Sequence, residues 1–141
     1  MIRSQILKNR ETWVAQLLDP TSRKGTSVLE GKSPSRENPP RCCLGHGCFA
    51  LGLERKFNDY GYITYGESSF QYPGKDFIEL VGLWNLAGGS SNGDLILGES
   101  NLAVCNDHTP VTPQDIGHYL QSVIEGGEHT PFRPLSDYPE E

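Results

Sequence analysis

The segment from Ser4 to Leu18 carries apolar residues at helical spacing, and it constrains the fold more than any other part of the chain. These residues come in pairs separated by seven and then four positions: Ile6, Leu7, Trp13, Val14, Leu17 and Leu18. That spacing places them on one face of a helix. The helix should end at Asp19-Pro20, because proline disfavours a helical conformation in the residue before it.

Beyond this segment the chain is interrupted by glycine and proline, which number 16 and 10 in 141 residues. This composition is typical of proteins built from turns and short elements. We predict helices over 42–54, 73–83 and 112–124, a helical turn over 99–106, and short strands at 27–29 and 94–97. Alternating aromatic and polar residues over 60–72, around Gly66-Glu67, predict a β-hairpin.

Together these elements predict an α+β fold, with several short helices around a small antiparallel sheet or hairpin. A chain of 141 residues with 35% hydrophobic content can bury one core, so we expect residues 1–141 to form a single small domain. We expect the core to comprise residues 4–125. A long polar loop at 20–40 and a Pro-rich tail at 126–141, lying over the surface or disordered, complete the prediction.

Charge is distributed unevenly along the sequence. Residues 1–56 carry a balance of +5 and residues 57–141 a balance of -11, which together give the net charge of -6. This asymmetry argues against a nucleic-acid groove along the whole protein, although it allows a local anion pocket in the first half. No apolar run approaches the ~18 residues of a membrane helix, and the N-terminal segment lacks the apolar core of a signal peptide. We therefore expect a cytoplasmic protein with free thiols.

The run RCCLGHGC, residues 41–48, places three of the four cysteines beside a histidine. Buried cysteine behaves as a small hydrophobe, so we interpret the run as the small-residue face of a buried helix. The alternative is a zinc site with four soft ligands: Cys43, Cys48, Cys105 and His108. The spacing argues against zinc, because structural sites usually present pairs of ligands separated by two to four residues. We expect neither a metal nor another cofactor.

A cysteine nucleophile is a third interpretation of the same run. It would need a thiolate of lowered pKa beside a base, for which His46, His108 or His118 is available. Nothing in the local sequence enforces that arrangement. We therefore expect a binding protein rather than an enzyme.

The first half of the chain also carries a basic run that can clamp phosphates: Arg23, Lys24, Lys32, Arg36 and Arg41. Gly25 would let backbone N–H groups approach an anion, and arginine offers a bidentate fork. The phosphate-loop pattern G-x4-G-K-[ST] is absent. A solvated loop is the alternative interpretation.

A polar segment, Asn106-Asp107-His108, follows an apolar turn and precedes a helix that Thr112 and Pro113 should begin. Asn and Asp side chains commonly close local turns, which is one interpretation. The other is hydrogen bonding to a ribose or to a base edge, because loops set on rigid elements tend to carry function.

The order of these landmarks resembles that of a family of small tailed-phage accessory proteins. In that family a CCLG run is followed by a further cysteine and, later, by an Asn-Asp turn before the last helix; here these are Cys42–Gly45, Cys48 and Asn106-Asp107. The resemblance covers roughly residues 9–125. The family usually has an aromatic residue before the paired cysteines and an acid after the later one, where this chain has Arg41 and Phe49.

The resemblance implies a phage gene that is dispensable for building virions. Small proteins of that kind often counter host defence, and some resemble sponges that sequester cyclic-nucleotide or ADP-ribose-type immune signals without cleaving them. It therefore implies an anti-defence protein in the host cytoplasm. A homo-oligomer is a further expectation, because sponges often bind their ligand at a subunit interface.

In this hypothesis phosphates, a base and ribose hydroxyls each meet a different group of side chains. The expected ligand-binding residues are Arg23, Lys24 and Arg41 for phosphates, Tyr65 or Trp84 for the base, and Asn106, Asp107 and His108 for the ribose side. An alternative function is an interaction module that inhibits a host protein through the acidic second half of the chain.

Overall fold

The structure is a computed structural model that describes residues 1–31, 38–108 and 110–141. Its helices are α1 (Arg3–Leu18), α2 (Cys43–Ala50), α3 (Lys75–Val81), α4 (Leu102–Asp107) and α5 (Pro113–Ser122). Its strands are β1 (Arg55–Phe57) and β2 (Ile63–Tyr65), and a short 3-10 helix spans Leu135–Asp137. The predicted α+β single domain is confirmed.

The N-terminal helix α1 is the centre of the fold, because α2, α3 and α5 all pack against it. Its predicted apolar face is buried around Trp13, whose indole N–H donates a 2.8 Å hydrogen bond to the carbonyl of Cys43. The rings of Phe77 and Phe132 meet Trp13 edge-on, with ring centres at 5.1 and 5.8 Å. Burial of this face explains why the segment is helical although no side-chain hydrogen bond caps its N-terminus.

The β-hairpin differs in register from the prediction. Strands β1 and β2 pair antiparallel with Arg55 opposite Tyr65 and Phe57 opposite Ile63, so the chain reverses at residues 58–62 rather than at Gly66-Glu67. The side chain of Asn58 closes this reversal by accepting the backbone N–H groups of Tyr60 and Tyr62 at 2.9 Å each. The prediction over 60–72 was wrong in position because the strands pair around the Asn58 turn, whereas the turn at Gly66-Glu67 follows the second strand and is closed by the Ser68 N–H, which donates to the carbonyl of Tyr65 at 3.0 Å.

The C-terminal segment 126–141 also differs from the prediction. Phe132 is fully buried in the core and forms a bridge with Leu83, so the core extends beyond residue 125. Four hydrogen bonds from Arg3 hold the end of the chain. Among them, its backbone N–H donates to the carbonyl of Pro139 at 2.9 Å and its Nε donates to that of Leu135 at 3.0 Å. Most of the segment lies over the surface, which is one of the two expected alternatives, but the expected core boundary at residue 125 was wrong because Phe132 anchors the segment in the core.

The polar loop is described at its two ends only. Lys32 and Arg36, two members of the basic run, lie outside the described residues. Leu29 is buried, and Glu30 forms an isolated bridge with Arg41 in place of the strand predicted at 27–29. In the second half, the strand predicted at 94–97 is instead part of a tight turn in which Ile96 bridges Glu99. None of the helices in the described part of the chain combines the length and apolar character that a membrane crossing requires.

Candidate functional site

Helix α2 is the element around which the candidate site is built, and close packing explains its sequence. A Cβ atom added at Gly45 would lie 1.8 Å from the carbonyl oxygen of Leu29, and one added at Gly47 would lie 2.5 Å from the Phe77 ring. All four cysteines are buried and free. The run RCCLGHGC is therefore the small-residue face of a buried helix, as interpreted from the sequence.

The four residues of the alternative zinc site are not brought together. In residues 1–31, 38–108 and 110–141, no cluster of three or more His, Cys, Asp or Glu side chains has the geometry to hold a metal ion. Cys43 and Cys48 belong to the core, whereas His108 is exposed, with its Nδ1 3.8 Å from a carboxylate oxygen of Glu99. The zinc interpretation is contradicted by this separation.

The thiols are also poorly suited to nucleophilic attack. The Sγ of Cys42 caps α2 by accepting the N–H of Gly45 at 3.3 Å, and burial raises the pKa of Cys42 to about 11. Burial likewise raises the pKa of Cys43, Cys48 and Cys105. Since a thiol with a raised pKa stays protonated at neutral pH, none of them is an activated nucleophile.

Arg41 lies in a buried polar network rather than at a ligand site. Its Nε donates hydrogen bonds to Oε1 of Glu30 at 3.0 Å and to the hydroxyl of Tyr65 at 3.2 Å. Arg55 binds the other carboxylate oxygen of Glu30, with its NH2 group at 2.6 Å, and the Tyr65 hydroxyl donates to Oε1. The expectation that Arg41 pairs with a phosphate and Tyr65 stacks on a base was wrong, because both side chains are buried against this carboxylate.

Opposing effects set the ionisation of this network. Burial alone would raise the pKa of Glu30, but hydrogen bonds from Arg55 and Tyr65 and the charges of Arg41 and Arg55 hold it below its ordinary value. Burial and the bond to Glu30 raise the pKa of Tyr65 to about 12. The network therefore consists of one carboxylate shared by two guanidinium groups and a neutral phenol.

The buried side chain of Asn106, on α4, hydrogen-bonds two other parts of the chain: the start of α2 and the segment around Gly25. Its Oδ1 accepts the backbone N–H of Cys43 at 2.9 Å, and its Nδ2 donates to the carbonyl of Gly25 at 2.8 Å. Because its amide is occupied on both sides, Asn106 cannot hydrogen-bond a ribose, and that part of the expectation was wrong. Its role is to hold the turn over residues 23–27, which we name the basic turn, against the start of α2.

The hydrogen bond between Asn106 and Gly25 also places the basic turn next to Asp107 and His108. The backbone N–H of Ser27 donates to Oδ1 of Asp107 at 3.1 Å, and the Nζ of Lys24 donates to the carbonyl of His108 at 2.6 Å. Arg23 is exposed, and its guanidinium donates to the carbonyl of Asn38 at 3.0 Å. These two sequence features, 80 residues apart, therefore form one surface.

Trp84 is not part of this surface. Its indole N–H donates to the carbonyl of Gly127 at 3.1 Å, and the guanidinium of Arg133 lies 4.8 Å from its ring centre. Its contacts are with the C-terminal segment and not with the residues expected to bind phosphate or ribose, so the structure does not bring Trp84 into the expected site.

A cavity of about 240 Å³ opens where the basic turn, the start of α2 and α4 meet. It is lined by Ser27, Val28, Cys42, Gln71, Tyr72, Ala103 and Asp107. Ser27 has a backbone φ of 66°, in the left-handed region that residues other than glycine rarely adopt. Such strain tends to occur where the surrounding structure holds a residue in place for function.

Asp107 is the one polar lining residue that was predicted from the sequence; Ser27, Gln71 and Tyr72 were not predicted. Ser27 lies two positions after Gly25, so its place in the basic turn was a signal that could have identified it. Gln71 and Tyr72 offered no such signal, since their approach to Asp107 depends on the fold alone.

Comparison of the chain with family models, with curated proteins and with solved structures gave no match.

Proposed function

We propose that the protein is a non-catalytic binding protein for a nucleotide-derived small molecule, and that the cavity beside Asp107 holds the ribose-sized part of it. The observation that carries this proposal is the Asp107 carboxylate at the cavity wall. It is exposed and is oriented by the N–H of the strained residue Ser27. A fixed carboxylate of this kind accepts hydrogen bonds from paired hydroxyl groups.

The size of the cavity indicates that it encloses only part of the ligand. At about 240 Å³ it is smaller than the roughly 300–1,000 Å³ of pockets that enclose a whole drug-sized ligand. A sugar would fill it, and the remainder of the ligand would lie on the surface. Tyr72, which is exposed at the cavity wall, offers an aromatic face to that remainder.

The surrounding charges support the phosphate part of the proposal. Lys24 is bound to the carbonyl of His108, the residue directly after Asp107, and Arg23 is the exposed residue before Lys24. A phosphate extending from the cavity past Asp107 would meet these two cations. Arg23, Lys24 and Asp107 therefore remain in the proposed site, and Ser27, Gln71 and Tyr72 join them.

Retention without cleavage is supported by the ionisation of the nearest reactive group. Cys42 is the one thiol that lines the cavity, and its pKa of about 11 keeps it protonated. His46 is buried inside α2, and its Nε2 lies 2.8 Å from the carbonyl of Arg23. A base for nucleophilic attack is therefore not offered by this histidine.

The resemblance to phage accessory proteins supplies the biological part of the proposal. In this setting the ligand is a cyclic nucleotide or an ADP-ribose derivative made as an immune signal, and the protein sequesters it in the host cytoplasm. Binding without turnover lowers the free concentration of a signal only if the protein is present in comparable amounts.

The test is to incubate the full chain with a panel of cyclic nucleotides and ADP-ribose derivatives, wash it, denature it and identify the released compounds by mass spectrometry. We expect one intact compound in stoichiometric amount. Asp107→Asn should reduce its retention at least tenfold, since the loss of one charge-assisted hydrogen bond weakens binding by about 1.5–3 kcal/mol. Asp59→Asn, in the hairpin turn, is the matched control and should retain the wild-type amount.

Other outcomes would contradict the proposal. A cleaved compound would identify an enzyme, and no release across the panel would reject nucleotide sequestration. Equal retention by wild type and Asp107→Asn would place the ligand elsewhere on the protein.

A second candidate function is protein interaction through the acidic half of the chain. It is favoured by two exposed leucines, Leu95 and Leu97, that lie between Asp94 and Glu99. Exposed apolar side chains rimmed by charge are typical of interaction sites. Salt-sensitive capture of a host protein by the purified chain, lost in Leu95→Ser, would support this function.

A further inference from the structure

The two carboxylate oxygens of Asp107 differ in how much of their hydrogen bonding the chain itself uses. Oδ1 accepts the backbone N–H of Ser27 at 3.1 Å and the Nδ2 group of Asn106 at 3.2 Å. Among the described residues, Oδ2 receives only the Ser27 hydroxyl, at 3.5 Å. An O–H···O hydrogen bond is usually about 2.5–3.0 Å long, so this contact is weak. Since a carboxylate oxygen has two lone pairs, Oδ2 can accept further donors.

Asp107 is the only charged residue among the described residues that line the cavity. The other polar side chains in the wall are neutral: the hydroxyls of Ser27 and Tyr72, the amide of Gln71 and the thiol of Cys42. Burial raises the pKa of Cys42 to about 11, so this thiol adds no charge at neutral pH. The described wall of the cavity therefore offers a carboxylate, but no cation, to a group that enters it.

The cations assigned to phosphate binding lie outside this wall. The Nζ of Lys24 donates to the carbonyl of His108 at 2.6 Å, and the exposed Arg23 precedes it in the basic turn. Neither side chain lines the cavity. A phosphate group therefore has cationic partners beside the cavity, whereas a phosphate inside it would meet only the carboxylate of Asp107.

The shape of a ribose matches this separation of charges. Its 2′ and 3′ hydroxyls lie on adjacent carbons, so both can donate to one carboxylate oxygen. Acidic side chains bind ribose hydroxyls in this way in the dinucleotide-binding folds. The 5′ carbon is attached at the other side of the ring. When the two hydroxyls are held inside the cavity, a 5′ phosphate therefore points away from the carboxylate.

We propose that the site selects a nucleotide whose 2′ and 3′ hydroxyls are both free and donate to Oδ2 of Asp107, and whose phosphates are attached at the 5′ position. This inference rests on the proposed function, which includes both cyclic nucleotides and ADP-ribose derivatives as ligands. It assigns the ligand to the ADP-ribose class.

A cyclic nucleotide fits the same site poorly for two reasons. In a 3′,5′-cyclic phosphate or a 3′–5′ linkage, the 3′ oxygen belongs to a phosphodiester and carries no proton, so Oδ2 of Asp107 loses one donor. The phosphodiester also brings a negative charge next to the carboxylate. Like charges in a partly enclosed site repel more strongly than they do in water. A nucleotide with phosphates only at the 5′ position avoids both effects.

The experiment measures binding to the full chain by titration calorimetry with two sets of probes. The first set is ADP-ribose, 3′,5′-cyclic AMP and 3′,3′-cyclic di-AMP, and ADP-ribose should bind roughly a hundredfold more tightly than either cyclic compound. The second set, which isolates the hydroxyls, is ADP, 2′-deoxy-ADP and 3′-deoxy-ADP. Removal of either hydroxyl should weaken binding about tenfold or more, because the carboxylate loses one charge-assisted hydrogen bond.

The affinity ratio of ADP to each deoxy analogue, taken within one variant, is independent of how much folded protein that variant yields. Asp107→Asn should lower this ratio, because an amide has one acceptor oxygen where a carboxylate has two, and Asp59→Asn should keep the wild-type ratio.

Two kinds of result would overturn the inference, and they differ in what they leave of the proposed function. Equal affinity for ADP and 3′-deoxy-ADP, an unchanged ratio in Asp107→Asn, or a cyclic compound that binds more tightly than ADP-ribose would overturn the inference alone. Absence of binding by every probe would overturn the proposed function together with it.

Discussion

The guanidinium of Arg10 lies over the ring of Phe132, 4.4 Å from the ring centre, and joins the first helix to the C-terminal segment. Arg10 is fully buried, and its nitrogens donate to the carbonyls of Val81 at 2.7 Å, Ile124 at 2.8 Å and Arg133 at 2.7 Å. Val81 is the last residue of α3. Carbonyl groups at the end of a helix carry partial negative charge, which stabilises a buried cation.

Replacement of Arg10 should therefore destabilise the protein strongly. In Arg10→Met the packing volume is largely kept, but the carbonyls of Val81, Ile124 and Arg133 lose this donor. We expect the free energy of unfolding to fall by about 3–5 kcal/mol, as when one partner of a buried charged network is removed. Urea unfolding measures the change. Lys75→Met, at an exposed pair with Glu79, should change stability by less than about 0.5 kcal/mol.

The buried carboxylate Glu30 should be similarly important. Glu30→Gln keeps the shape but leaves two guanidinium groups, those of Arg41 and Arg55, without their shared anion. We expect a loss of about 3–5 kcal/mol, because an uncompensated buried charge is costly. Glu54→Gln, an exposed change close by, is the control for urea unfolding. A loss below about 1 kcal/mol in Glu30→Gln would contradict the importance assigned to the network.

His46 should make stability depend on pH. Burial lowers its pKa to about 4 in the folded protein, from an ordinary value of 6.5. Between these values the unfolded chain binds a proton that the folded chain does not, so stability should fall as pH decreases from 6.5 to 4. The difference amounts to about 3 kcal/mol at about 1.4 kcal/mol for each pKa unit.

The measurement is urea unfolding at a series of pH values for wild type and His46→Gln. The variant can still donate a hydrogen bond toward Arg23 but has no group that titrates at this position. Its stability should therefore fall less steeply than that of wild type over the same pH range. Parallel curves for the two proteins would show that His46 is not the titrating group.

Gly45 should tolerate no side chain. Alanine favours a helix over glycine, yet a Cβ at position 45 would lie 1.8 Å from the backbone oxygen of Leu29. Gly45→Ala should therefore destabilise the protein by about 3 kcal/mol or more, since overpacking against backbone cannot relax by a change of rotamer. Gly93→Ala, at an open position with a φ of 80°, should cost only about 1–2 kcal/mol. Thermal unfolding of both variants tests the contrast.

Local signals explain which parts of the fold were predictable. The start of α5 is an example: the Thr112 hydroxyl accepts the N–H of Asp115 at 3.1 Å, the Asp115 carboxylate accepts the N–H of Thr112 at 3.0 Å, and Pro113 is the first helical residue. All of these contacts join residues within four positions of one another. The sequence is therefore sufficient to predict such helices, and α1 is predicted equally well from its periodicity.

The candidate site was predictable only in part. The basic turn and the Asn106-Asp107 segment were both identified from the sequence. The sequence could not show that the amide of Asn106 is fully hydrogen-bonded to Cys43 and Gly25 while Asp107 remains exposed. Adjacent residues with similar chemistry received different roles because one points into the fold and the other toward solvent.

The sequence by itself determined the α+β class, the amphipathic helices and the small-residue character of α2, because these depend on periodicity, capping and residue size. Only the tertiary structure decided that Arg41 is paired inside with Glu30 while Arg23 stays at the surface, and that Phe132 returns to the core beside Trp13. Those outcomes depend on contacts between residues up to 119 positions apart. A charge or a ring is buried only where the folded chain places a suitable partner beside it.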